Sequence, residues 1–191
     1  MNAVRRLFLV RHAGTAATRQ ARFAVDEPLA PAGLVAAAGL AALVPRLDFA
    51  WCSPTLRTRE TAAAAGWQGA DDARLRPLDL GSWVSKQLPF GGTDPLGMVS
   101  WLSDPAARPH GGETIVELIE RIGTLLADWH DSAAADLIAV THAAVVRAAV
   151  VVALGAPPEA FWRVEAAPAS VTELHTRGTG WVLVGANLTS A

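Results

Sequence analysis

The sequence predicts an α/β domain, a three-layer α/β/α sandwich with a mostly parallel central sheet, and three observations carry that expectation. Short apolar runs at Arg5 to Val10, Asp48 to Cys52 and Asp136 to Thr141 read as strands covered on both faces. Helical segments follow them, so strand and helix alternate along the chain. Each run also stops at polar residues capable of chemistry, at the strand ends where such sheets bind ligands.

The elements follow in order. Arg5 to Val10 is the first strand. Pro28 to Val44 reads as a helix with Pro31 in its first turn, Leu29, Leu34 and Leu40 as anchors, and Pro45 as its stop. After the strand Asp48 to Cys52, Ser53 fits a helix N-cap with Pro54 at the first helical position, and that helix runs to about Gly66. Between residues 75 and 112 the chain makes a loop-rich excursion, where glycines and prolines interleave with Trp83, Phe90 and Trp101. Gly112 to Trp129 is helical, its apolar residues spaced i, i+3, i+4, i+7 from Ile115 to Leu126. Asp136 to Thr141 is a strand, His142 to Leu154 a helix, and two last strands lie near Ser170 to His175 and Gly180 to Val184. No internal repeat interrupts this order, and one domain spanning residues 1–191 is expected.

Composition narrows the function classes. Half of the residues are apolar and 18% are charged, the balance of a chain that folds around a core. A formal charge of -2 offers no general attraction to nucleic acid or to an acidic membrane surface, and neither partner is expected. Fifteen arginines accompany the single Lys86; this bias reads as compositional, so only individually placed arginines count as evidence. The lone Cys52 excludes a disulfide framework and a thiolate metal cluster and fits a cytoplasmic location. The apolar stretch after Arg6 is too short for a signal-peptide core, and that from Leu137 to Gly155 is broken by His142 and Arg147, so neither reads as a leader or a membrane span. Oligomeric state is not legible, with a dimer left open.

Chemistry gathers at three strand ends. Arg11-His12 closes the first strand, Cys52-Ser53 follows the second with Arg57 on the next helical turn, and His142 closes the third. In a parallel sheet these ends share one edge, which brings two imidazoles and two guanidiniums to a common pocket. Such groups repel one another unless an anion lies among them, so the pattern predicts a dianion site. Taken singly, a histidine at a strand end, a solvated arginine and a capping serine are all ordinary; their coincidence carries the inference.

The segment "LVRHAGT" resembles the Arg-His-Gly (RHG) signature of the histidine phosphatase superfamily, the phosphoglycerate mutase-like proteins. "PLAPAGLVAA", "CSPTLRTRETA", "PHGGET", "VTHAAVVRA" and "PASVTEL" resemble further segments of that family in the right order, over residues 5 to 188. The resemblance implies a hydrolase acting on a small phosphorylated metabolite with no cofactor and no metal, cationic side chains standing in for the metal. His12 is then the nucleophile that forms a phosphohistidine, its second ring nitrogen donating to a backbone carbonyl in the turn after Ala13. Arg11, Arg57 and a protonated His142 hold the non-bridging oxygens. Thr15 and Ser53 are further phosphate-binding hydroxyls, Ser53 being equally suited to capping. Activity is expected to favour mildly acidic to neutral pH.

Two departures from the family pattern matter. Ala13 stands where the family has glycine after the nucleophile. Pro77 stands where many members carry a glutamate that protonates the leaving group, which leaves Asp79 and Glu113 as candidate acids; Asp79 reads equally well as a turn residue before Gly81. His110, His130 and His175 read as structural or surface residues, and Arg147 as buried with a carboxylate partner. Trp83, Phe90 and Trp101 read as packing the excursion onto the domain, with a pocket wall as the alternative, and selectivity is expected from residues 80 to 105. Alternatives to a phosphomonoesterase are a mutase, a phosphatase of phosphohistidine proteins, and a phosphate-binding pseudoenzyme without turnover.

Overall fold

The computed structural model describes residues 4–23, 25–86, 94–131 and 136–190. In chain order the main elements are β1 (Arg6–Arg11), α1 (Ala16–Arg19), α2 (Pro31–Ala38), β2 (Phe49–Cys52), α3 (Leu56–Ala64), β3 (Gln68–Asp71), α4 (Pro95–Ser103), α5 (Ile115–Asp131), β4 (Leu137–Thr141), α6 (Ala143–Leu154), β5 (Val171–Arg177) and β6 (Gly180–Leu188). The strands form one sheet in the order β3-β2-β4-β1-β5-β6. β3, β2, β4 and β1 are parallel, and β5 and β6 add an antiparallel edge.

The layers follow from the pleat. Along β1, Leu7 and Leu9 point into a core built with α5 and α6, while Phe8 and Val10 point into a second core with α2 and α3. Strand β4 alternates likewise, Ala139 facing the first core and Ile138 and Val140 the second. Both faces are therefore covered, as an uninterrupted apolar strand requires.

Register brings the chemical strand ends level. Arg11 pairs with Thr141 and Cys52 with Val140. The ladder continues one step, the His12 N–H donating to Thr141 O at 2.9 Å and the Ser53 N–H to Val140 O at 2.9 Å. His12, Ser53 and His142 thus leave the sheet at one height on its carboxyl edge.

Several boundaries differ from expectation. The helix expected over Pro28 to Val44 is α2 followed by a 3-10 turn at Gly39–Ala42. Leu29 is buried ahead of it and Leu40 within the turn, but Leu34 is 45% exposed and anchors nothing. Helix α5 starts at Ile115, not Gly112, because "TIVE" closes a capping box: Thr114 N–H donates to Glu117 Oε2 at 2.9 Å and Glu117 N–H to Thr114 Oγ1 at 3.1 Å. Strand β3, helix α1 and helix α4 are additional to the sequence reading. Helix α4 lies inside the excursion, with Asp94 at its N-cap accepting from Gly97 N–H at 2.8 Å and Pro95 in its first turn. No described helix is long and apolar enough to cross a membrane.

Candidate active site

The turn that follows His12 is gripped from two sides. Helix α2 approaches so closely that a methyl group on Gly33 would lie 2.2 Å from Gly14 O, and Ala30 N–H donates to that same carbonyl at 2.9 Å. From α3, Thr61 Oγ1 accepts the Ala13 N–H at 3.1 Å and donates to Arg57 O at 2.7 Å. Ala13 is fully buried and has no positive φ, so the glycine of the family pattern is not needed at this backbone conformation.

His12 and His142 face one another, ring centroids 5.2 Å apart at an interplanar angle of 65°. His12 Nδ1 donates to Ala13 O at 2.8 Å, which fixes the tautomer and leaves Nε2 as a free lone pair. Burial, then the Arg57 and Arg11 charges, lower the His12 pKa to about 3 despite the opposing Ala13 carbonyl. His142 occupies the N-cap of α6 in extended backbone geometry without using its side chain as the cap. Its Nδ1 lies 3.3 Å from Arg57 Nη2 and its Nε2 2.8 Å from Ser53 Oγ. The guanidinium can only donate, so Nδ1 accepts and Nε2–H donates to Ser53. Burial, followed by His12, Arg57 and Arg11, holds His142 well below the usual histidine range.

The two arginines are held by backbone carbonyls. Arg11 Nη1 donates to Ala166 O at 2.5 Å, and burial, with the neighbouring Arg147 charge, lowers its pKa to about 10. Arg57 Nη1 donates to Val25 O at 3.0 Å and lies 3.7 Å from Asp26. Burial lowers Arg57 as well, with Asp26 and Glu27 opposing. The Nε–H of each is buried and has no hydrogen-bond partner among the described residues. Two guanidiniums and two neutral imidazoles in so little water favour an oxyanion among them.

These four side chains line a cavity of about 580 Å³. Among its lining residues arginine appears five times, as Arg11, Arg22, Arg57, Arg76 and Arg147, against the single carboxylate of Asp79. Pro77 is part of the wall. Asp79 is exposed there, its Oδ1 accepting from Gly81 N–H at 2.9 Å as a turn residue does.

Other expected site residues lie elsewhere or act otherwise. Glu113 is off the cavity wall: Arg121 holds its carboxylate at two 2.8 Å contacts and Arg76 approaches at 3.3 Å. Its carboxylate is taken up by these two arginines, of which Arg76 itself lines the cavity. Thr15 is fully buried and caps α1 in a reciprocal bond with Thr18, away from the wall. Ser53 is not a helix cap, since α3 starts at Leu56 after Thr55, and its hydroxyl contacts His142 instead. Arg147 has no ion pair among the described residues; its Nε donates to Val164 O at 2.9 Å and it lines the cavity. Its expected carboxylate partner is replaced by the rings of Phe161 and Trp162 at 5.8 and 5.5 Å.

Of the three aromatics in the excursion, Trp101 forms wall and Trp83 packs in the core against Phe23 and His110. Phe90 lies outside the described residues. His110 is buried, its Nδ1 accepting from Gly112 N–H at 3.0 Å, while His130 and His175 pair with Asp131 and Glu173. The wall also takes in Phe23, Phe161 and Trp162, which the sequence reading left out. Helical phase offers a signal for Arg147, which shares one face of α6 with Ala143 and Ala144; the adjacent Phe161-Trp162 offers none, being a pair in a 3-10 turn.

Comparison with known proteins identifies the family. The model of the histidine phosphatase superfamily (branch 1) matches residues 7–189. Glucosyl-3-phosphoglycerate phosphatase of Mycolicibacterium vanbaalenii is 30% identical over 174 residues, covering 81% of this chain and 76% of that protein. A mycobacterial glucosyl-3-phosphoglycerate phosphatase solved with VO3 superposes with a TM-score of 0.86 at 25% identity, covering 97% of this chain and all of that one. A phosphoserine phosphatase mutant from Entamoeba histolytica has the same fold, with a TM-score of 0.85 at 20% identity over 95% of this chain and 96% of its own. Two facing imidazoles flanked by arginines at the carboxyl edge of the sheet, and a family match over nearly the whole length, lead to one conclusion: the chain is a phosphatase belonging to branch 1 of the histidine phosphatase superfamily.

Proposed function

We propose that the protein hydrolyses a small phosphomonoester through a phosphohistidine on His12, without a metal. The observation that carries this reading is the His12 ring: its Nδ1–H is committed to Ala13 O, its Nε2 lone pair is free, and its centroid stands 5.2 Å from that of His142 in a cavity that Arg11 and Arg57 also line. Nε2 attacks phosphorus, the N–P bond forms and the P–O bond to the leaving group breaks. Arg11, Arg57 and His142 take up the charge spreading over the non-bridging oxygens. Water then attacks phosphorus, its proton passing to the group that protonated the leaving oxygen, the N–P bond breaks with its electron pair returning to Nε2, and phosphate leaves.

The shared contact between Arg57 Nη2 and His142 Nδ1 gives the second imidazole its part. A bound dianion makes the local field favour a proton on Nδ1. That proton ends the Arg57 contact, so both N–H groups turn to phosphate oxygens. The leaving oxygen needs a proton too, and among the described wall residues Asp79 is the one carboxyl group that, when protonated, can supply it, Pro77 having none.

Two measurements test the scheme. Protein mixed with p-nitrophenyl phosphate and a chelator, then quenched in base, should carry an acid-labile phosphoryl group on His12; steady hydrolysis with no label at that residue refutes the nucleophile assignment. Asp79→Asn should slow alkyl phosphates by about 10²-fold relative to p-nitrophenyl phosphate, whose leaving group needs little protonation. An equal effect on both classes removes Asp79 as the acid. Pro77 in the wall also supports a second reading, in which the substrate is an activated one such as a phosphoramidate; phosphohistidine protein as a better substrate than any ester would select it.

A further inference from the structure

The cavity holds more positive charge than one phosphoryl group needs. Arg11, Arg57 and His142 converge on the strand edge and account for the transferred phosphate. Arg147 stands apart from them. It lies on α6 at i+4 from Ala143 and i+3 from Ala144, and all three line the cavity, so it projects from the face that carries these two alanines, about 7.5 Å along the axis from His142 at ~1.5 Å per residue.

Its guanidinium is preorganised and unbalanced. Nε donates to Val164 O at 2.9 Å, and the Phe161 and Trp162 rings lie within 5.8 Å of the guanidinium carbon. The two terminal amino groups make no hydrogen bond or ion pair among the described residues, and neither is among the buried atoms lacking a partner. A partly buried arginine held by one carbonyl and two rings leaves one edge of its fork for a bidentate oxyanion. Glu165, whose charge Arg147 feels, is exposed and not in ion-pair contact. Arg147 and Arg11 line the same cavity, so one ligand can meet both charges.

We propose that Arg147 binds a second anionic group, a carboxylate or a phosphate, carried by the leaving part of the substrate. The enzyme is then selective for doubly anionic phosphomonoesters, and Arg147 is a specificity residue outside the transfer chemistry. This rests on the phosphatase reading and names the substrate class for it.

Matched pairs test the assignment. For the carboxylate arm, 3-phosphoglycerate is compared with glycerol 3-phosphate, and phosphoserine with phosphoethanolamine; for the phosphate arm, fructose 1,6-bisphosphate is compared with fructose 6-phosphate. In at least one arm the wild type should favour the doubly anionic member by about 10- to 100-fold in kcat/KM, largely through KM. Arg147→Met should bring that ratio close to one, and Arg147→Lys should restore part of it. Dissociation constants of the same pairs on His12→Ala, which binds without turnover, read the subsite even if the nucleophile assignment fails. The proposal is overturned if the wild type shows no preference in either arm, or if Arg147→Met, or Arg147→Lys should the former not fold, keeps the wild-type ratio.

Discussion

His12 and His142 are the same side chain, both buried at the ends of neighbouring parallel strands, yet their surroundings differ in the way the two proposed tasks require. His12 is bonded to a backbone carbonyl, a partner that cannot change its protonation, and its tautomer is therefore fixed. His142 is bonded to a guanidinium and a hydroxyl, and one of these contacts gives way once Nδ1 is protonated. A nucleophile needs a lone pair that is always aimed. An anion receptor needs a proton that arrives with the anion. The contrast shows that the second partner of an imidazole, more than its burial, decides which it becomes.

The comparison breaks most visibly under truncation. His12→Ala should lose about 10⁴-fold or more in kcat, since no bond to phosphorus forms, whereas His142→Ala should lose about 10²-fold, the worth of one oxyanion donor. Steady-state hydrolysis of p-nitrophenyl phosphate measures both, and equal losses would erase the distinction between the rings.

Protonation sharpens it. Both rings are pushed below the ordinary 6.5, His12 to about 3. The unfolded chain therefore binds protons first as pH falls, and the protein by itself should lose stability from about pH 6.5 toward pH 3, seen as a falling Tm. Phosphate binding should reverse this at His142 alone. Calorimetric titration of inorganic phosphate at pH 8, in buffers of different ionisation enthalpy, should show uptake of up to one proton in wild type and in His12→Ala but none in His142→Gln. Uptake that survives His142→Gln would assign the proton elsewhere. In the complex the same proton should be lost as pH rises, so kcat should decline on the alkaline side.

Legibility in the sequence tracked locality. The strands Arg5 to Val10 and Asp136 to Thr141, and the polar residues that end them, were readable because an apolar run and its stop are neighbours in the chain. Their meeting was readable from the parallel topology that alternation implies. Helix α2 was misjudged because "PAGLVAAA" is apolar on every side, so no stripe tells Leu34 apart from Ala37. Strand β3, "QGAD", is a polar edge strand without alternation and gives no signal of its own. The far wall drew on Phe23, Trp101, Phe161 and Trp162, one or two residues from each of three distant segments, where only packing makes them neighbours. Glu113 was legible as a carboxylate near a helix start, but its two arginine partners come from positions eight residues ahead and 37 behind.

The contact between Gly33 and the Gly14 carbonyl carries one more lesson. The turn that aims His12 is wedged by a helix with no side chain in the cavity, so its position is set from behind as much as by the strand in front. Anyone wishing to re-aim His12 by fractions of an ångström, in directed evolution or in design, has a lever on the outer layer of the protein that leaves every substrate contact in place.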